Sequence, residues 1–185
     1  MVYIKEIVFF ADIAVHYVLL SGMVWSVAFP KRRIWPPPKK QAWQYIIIWT
    51  LFYLAIVLNV SLLVLDWNNW IISKSVRFFV GIPIIVIGTL LWSWGIATLG
   101  IKNTSGIKIE FVTIGPYRFT RNPQYLGDVI LFVGITTLSN SLYLATVHVL
   151  GAMVFLITPL AEEVWLEKQY GEQYIQYKNA TPRFL

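Results

Sequence analysis

Long uninterrupted apolar runs constrain this chain more than any other feature. A helix needs about 20 apolar residues to cross roughly 30 Å of hydrocarbon. Ile7–Phe29, Tyr45–Leu65 and Phe78–Leu99 each meet that length. Two more runs follow, Gln124–Leu138 with 15 residues and Leu142–Leu160 with 19, joined by Ser139-Asn140-Ser141. Inside lipid the backbone must satisfy its own hydrogen bonds, which within one segment only a helix does. The expectation is therefore an all-α polytopic membrane protein with five transmembrane helices, the last two a tight helical hairpin. A re-entrant hairpin is the alternative for that last pair. Composition agrees: 57% of the residues are apolar and only 13% charged, against roughly 45–50% and 25% in soluble domains.

The segments between the runs show where the helices stop. Pro30 and Lys31-Arg32-Arg33 end the first, and Pro36-Pro37-Pro38 stiffens the loop that follows. Trp67 and Trp70 mark an interface after the second. Gly81, Gly88 and Gly95 recur every seven residues, a stripe that admits a close helix neighbour. Ile107-Lys108-Ile109-Glu110-Phe111 alternates like a short extended stretch. After Leu160 a cytoplasmic helix is expected over about Glu162–Lys178, with Leu166, Tyr170, Tyr174 and Tyr177 on one stripe.

Basic residues set the orientation. If Lys31–Lys40 faces the cytoplasm, twelve lysines and arginines lie on that side, and only Lys5, Lys74 and Arg77 lie on the other. The positive-inside rule then places the N-terminus outside and the C-terminus inside. The first run contains Asp12 and His16 and lacks a small-x-small cleavage site, so it reads as a retained span rather than a signal peptide. The net charge of +6 sits between the apolar runs, a pattern of membrane topology rather than nucleic-acid binding. With no cysteine and two histidines, neither a disulfide nor a thiolate nucleophile is available, and no metal site is expected.

Polar chemistry concentrates in two places. In Gly115–Asp128, Asn122-Pro123 reads as N-cap and first residue of the fourth apolar helix. The free N–H groups there form an anion site that Arg118 and Arg121 reinforce, although the same features serve a capped helix start beside lipid phosphates. Gly127 permits close approach, and Asp128 lies one turn after Gln124. The second place is Glu162-Glu163 at the exit of the last span, either solvated or holding a cation. A hairpin brings both places to the same end, a combination suited to a zwitterionic ligand.

These residues carry a resemblance. Gly115-Pro116-Tyr117-Arg118-Phe119-Thr120-Arg121-Asn122-Pro123-Gln124-Tyr125-Leu126-Gly127 is similar to the motif G-x-Y-x-x-x-R-H-P-x-Y-x-G of membrane methyltransferases. That family includes the isoprenylcysteine carboxyl methyltransferases and the phospholipid N-methyltransferases. Glu162-Glu163, Leu166, Tyr170-Gly171, Tyr174, Tyr177 and Pro182-Arg183 resemble its C-terminal motif, so the match covers about residues 100–185. The resemblance implies a single domain, with residues 1–75 supplying N-terminal spans and 100–185 binding the cofactor. It implies S-adenosylmethionine (SAM), held by Val112, Tyr117, Asn122, Pro123, Gln124, Tyr125 and Glu162, and by Asn103 in the loop after the third span. The activity implied is methyl transfer to a lipid-like or isoprenylcysteine-like acceptor reached from the bilayer, with the cytoplasmic side as the active face. In chemical terms the helix N-terminus would take the methionine carboxylate and Glu162 the ammonium, with Tyr117 or Tyr125 facing the sulfonium or adenine.

Asn122 stands where the motif usually has histidine, and it keeps a donor but cannot shuttle a proton. Thr158 stands where the isoprenylcysteine enzymes have an arginine tied to the substrate carboxylate. If the acceptor is instead a phospholipid amine, Glu163 or Asp128 is the candidate catalytic base. Three other readings have distinct signatures. His16 and His148 at similar depth suit haem b and electron transfer, unless Asp12 satisfies His16 and a neighbouring helix satisfies His148. A sterol-reductase-like protein would bind NADPH, and a lipid-binding scaffold would bind neither cofactor.

Overall fold

The structure, a computed structural model, describes residues 2–106 and 111–185. The long helices are α1 (Val2–Ala28), α2 (Trp43–Leu65) and α3 (Lys74–Leu99), followed by the single turn α4 (Ile101–Thr104). Then come α5 (Pro123–Ser139), α6 (Leu142–Tyr170) and α7 (Glu172–Ala180). Short 3-10 turns occupy Pro30–Arg32 and Gly115–Arg118, and no strand occurs among the described residues. Residues 107–110 of the expected extended stretch lie outside the described residues.

Four helices, α1, α2, α3 and α6, are long and apolar enough to cross a membrane. The fourth apolar run becomes α5, with 17 residues. Large apolar side chains point away from the protein on these helices, with Val64 73% and Phe79 82% exposed. Such an outer surface is low in free energy only when hydrocarbon surrounds it.

The glycine stripe on α3 finds its neighbour in α5, and the two helices run antiparallel in one register. A Cβ on Gly81 would lie 3.0 Å from the backbone of Leu138, on Gly88 2.8 Å from that of Leu131, and on Gly95 2.8 Å from the Gln124 side chain. Each seven-residue step up α3 meets a seven-residue step down α5. Gly127 and Gly134 return the contact against Trp92 and Ile85. Backbone thus lies on backbone, and the first turn of α5 is fixed against the end of α3.

On the other flank, α1 packs against α2 and α6 through Leu19, Met23, Ile48, Ala55 and Val154. A polar thread crosses this apolar interior. His16 Nδ1 meets both the backbone carbonyl and a carboxylate oxygen of Asp12 at 3.0 Å. Asn59 donates to Asp12 and lies 2.9 Å from His148 Nε2, and Thr136 Oγ1 lies 2.7 Å from His148 Nδ1. Four helices are therefore joined at depth by groups that satisfy one another, as buried polar groups must.

At the end of the bundle bearing the N-terminus, Asp66 gathers Ser141 Oγ at 2.5 Å, Asn69 Nδ2 at 2.7 Å and Lys5 Nζ at 3.0 Å. The Asn68 and Asn69 amides donate to the Ser139 and Asn140 carbonyls, clamping the α5–α6 turn.

The expectation of a separate helix over Glu162–Lys178 is corrected. α6 continues through Pro159 and both glutamates to Tyr170, and the break falls at Gly171, whose φ is 54°. A proline inside a helix forfeits one backbone bond, here to the Phe155 carbonyl, and in a long packed helix that loss does not end it. The positive φ at Gly171 does end it, because L side chains resist that conformation.

Candidate functional site

At the opposite end the two sequence motifs lie against each other. The Arg121 amide donates to the Pro182 carbonyl at 3.0 Å, while Thr120 Oγ1 and Asn122 Nδ2 donate to the Arg183 carbonyl. Asn122 is the N-cap of α5 by position, but its side chain makes no cap hydrogen bond and is spent on the C-terminal tail. With Pro123 first in the helix, the amides of Gln124 and Tyr125 have no intrahelical partner by position.

Glu163 is the electrostatic knot. Arg183 grips it through Nε at 2.6 Å and Nη2 at 3.0 Å, Arg121 Nη1 reaches it at 3.0 Å and Lys178 Nζ at 3.4 Å. The carboxylate is buried, so this triple pairing is what makes its charge tolerable there. Around the knot, burial and the Glu163 charge push the Tyr174 hydroxyl up to about 12. The Lys178 ammonium is held above its usual range, first by its hydrogen bond to Glu167 and then by Glu163.

Glu162 points the other way. Its Oε1 accepts from Trp35 Nε1 at 2.7 Å and from Tyr125 OH at 2.6 Å. Its Oε2 carries no hydrogen bond among the described residues. Glu162 borders a cleft of about 120 Å³. Of the eight residues expected to contact a cofactor, seven line it: Asn103, Val112, Tyr117, Asn122, Gln124, Tyr125 and Glu162. Pro123 is buried behind them and does not line it.

Sequence reasoning missed several contributors. Trp35, from the proline-rich loop after α1, supplies a donor to Glu162, and Pro36 adds to the wall. Phe111 stacks on Tyr170 at 4.9 Å and meets the edges of Tyr174 and Tyr177 at 6.0 and 5.5 Å. The tyrosine stripe expected on the C-terminal helix thus builds an aromatic wall, and its periodicity was the available signal. Arg118 is exposed, whereas Arg121 is drawn into the Glu163 knot with its Nε buried and unpartnered among the described residues.

Thr104, Gln124 and Tyr125 line the cleft and also a second cavity of about 440 Å³ inside the bundle. That chamber is mostly apolar, walled by residues such as Trp49, Phe52, Trp92, Phe132 and Phe155. Asp128 lies in its lining and not in the cleft's. A cleft with groups for both signs of charge therefore adjoins an apolar chamber inside the bundle, with Thr104, Gln124 and Tyr125 on the boundary. Such an arrangement can bring a polar reagent against a greasy one while excluding water.

The sequence profile of the phospholipid methyltransferases matches residues 76–173. A phosphatidylethanolamine N-methyltransferase B of Dictyostelium discoideum is 29% identical over 152 residues, covering 70% of this chain and 75% of the relative. Two protein-S-isoprenylcysteine O-methyltransferases of Arabidopsis thaliana, B and A, are 30% and 32% identical. Each of those matches covers 62% of this chain and 59% of the relative. No solved structure matches the chain.

Proposed function

The chain belongs to the phospholipid methyltransferase family, and from that premise we propose that it transfers a methyl group from SAM to a lipid-like acceptor that arrives through the bilayer. The observation that carries the reading is the junction at Tyr125, which lines both the cleft bordered by Glu162 and the apolar chamber and donates to Glu162 Oε1. SAM supplies, when bound, a methyl group on a sulfonium that needs only an aligned nucleophile.

The donor set fits that group. Glu162 Oε2 would accept from the α-ammonium, and the first-turn amides of Gln124 and Tyr125, helped by Arg121 Nε, would hold the carboxylate. The Phe111, Tyr170, Tyr174 and Tyr177 wall offers ring faces to the adenine or the sulfonium. Alignment and exclusion of water then do most of the work, since a displacement at carbon asks little else of the site. Asn122 holds the tail and serves no proton transfer.

The same reading puts the cleft and the C-terminus on the cytoplasmic side and the N-terminus outside. α5 makes a fifth crossing against α3, and α7 lies under the bundle. Residues 1–75 give lipid-facing walls and 100–185 the cofactor-binding part, with Trp35 and Pro36 reaching in from the first half. Where the acceptor is a phospholipid amine, Asp128 rather than Glu163 is the base, since Glu163 is committed to three cations. Haem b does not suit the histidines: both ring nitrogens of His148 are already engaged, by Thr136 and Asn59.

The test is incubation of the purified protein with labelled SAM and total membrane lipid, followed by mass identification of the product. A labelled lipid is expected, and the absence of any labelled lipid would overturn the assignment.

A further inference from the structure

Resting on that reading, we propose that Asp128 is the residue that recognises the acceptor's headgroup and selects a cationic amine. Of the groups lining the chamber between the helices, His16, His148 and Asp128 are the ones that can carry charge near neutral pH, and no lysine or arginine lines it among the described residues. His16 is occupied through Nδ1 by Asp12, and His148 through both nitrogens. Asp128 makes no hydrogen bond or ion pair with any described residue, and it is the chamber's one carboxyl group. A carboxylate in an apolar cavity inside a membrane is costly unless a cation or donor meets it. No described residue is paired with it, so Asp128 either holds a proton or meets a cation that comes with the ligand.

Position strengthens the assignment. Asp128 follows Tyr125 by three residues on α5 and Gln124 by four, so it stands one turn from the two side chains that border both cavities. Beside it, the backbone of Gly127 lies against Trp92, whose ring also lines the chamber. Aromatic walls around a single anion suit an alkylammonium. A headgroup carboxylate would instead meet Asp128 with no cation in the chamber to offset it. Thr158, also in this lining, spends its hydroxyl on the Val154 carbonyl at 2.7 Å and does not change the balance.

The decisive measurement needs no methyl donor. Binding of dodecylamine, dodecanol and dodecanoate to the full-length protein in nanodiscs is compared by native mass spectrometry at neutral pH. The wild type is expected to bind dodecylamine about tenfold or more tighter than dodecanol, the worth of a charge-assisted bond. Asp128→Asn is expected to erase that preference while leaving dodecanol affinity in place. Equal binding of amine and alcohol by the wild type, tighter binding of dodecanoate than of dodecanol, or a preference that survives Asp128→Asn would each overturn the proposal. The wild-type comparison stands even if the variant fails to fold. Failure of SAM to bind would instead sink the methyltransferase reading and leave this result intact.

Discussion

Placing an alanine at Gly88 sets a methyl group against the backbone of the neighbouring helix. Its Cβ would lie 2.8 Å from Leu131 N and 3.0 Å from the Gly127 carbonyl, where ordinary contact begins at 3.4 Å. α5 must therefore retreat by about 0.6 Å, the difference between 3.4 and 2.8, because backbone cannot rotate out of the way. Overpacking of this kind costs about 1–3 kcal/mol, partly offset by about 0.5–1 kcal/mol from replacing a helical glycine. At this chain length each kcal/mol moves Tm by about 2–4 °C, so the net cost of up to about 2.5 kcal/mol lowers Tm by up to about 10 °C. Gly22 on α1 is the control. Its added Cβ would meet only side-chain ends, at 3.8 and 4.0 Å, so Gly22→Ala should gain the propensity term alone and raise Tm. Thermal unfolding of both variants in one detergent reads the opposite signs. If Gly88→Ala stabilised the protein as Gly22→Ala does, the α3–α5 register described above would be wrong.

Three other outcomes follow from the geometry. Glu163→Ala strands Arg121, whose side chain is 8% exposed, and should cost about 3–5 kcal/mol; an unchanged Tm would contradict the knot. Trp35→Phe keeps the ring but removes a donor from Glu162, so calorimetry should find SAM affinity several-fold weaker, by about 1 kcal/mol, and an unaltered affinity would count against that wall. Burial pushes the Asp66 carboxyl up, but bonds from Ser141, Asn69 and Lys5 outweigh it and hold the group below the usual 3.8. Its stabilisation is therefore complete above the unfolded-state value and lost as pH falls below it. Tm of the wild type should drop on acidification more steeply than that of Asp66→Asn, and parallel curves would refute the clamp.

The apolar runs and the glycine period were legible because each reports a repeating geometry. Span length follows from hydrocarbon thickness, and a seven-residue glycine repeat can only mean a close neighbour on one face. Which helix that neighbour would be, α5 rather than the adjacent α2, depends on packing that no local pattern encodes. The cleft was legible through its two motifs, since capping residues and paired carboxylates have specific chemical uses. Trp35 was not, because its role rests on a contact 127 residues away in sequence with Glu162. Glu163 stood open between a solvated acid and a cation holder for the same reason: Arg121, Lys178 and Arg183 reach it only once the tail folds back. The last apolar run ends at Leu160, and only the positive φ at Gly171 marks where that helix stops.

The central claim is that the cleft beside Glu162 binds SAM, and calorimetric titration of SAM into wild type and Glu162→Gln tests it most directly. Glutamine can keep accepting from Trp35 and Tyr125 while losing the charge that would meet the α-ammonium. The wild type should bind, and Glu162→Gln should bind about ten- to a hundredfold more weakly at similar Tm. Equal affinity in the two proteins, or no binding to either, would contradict the account.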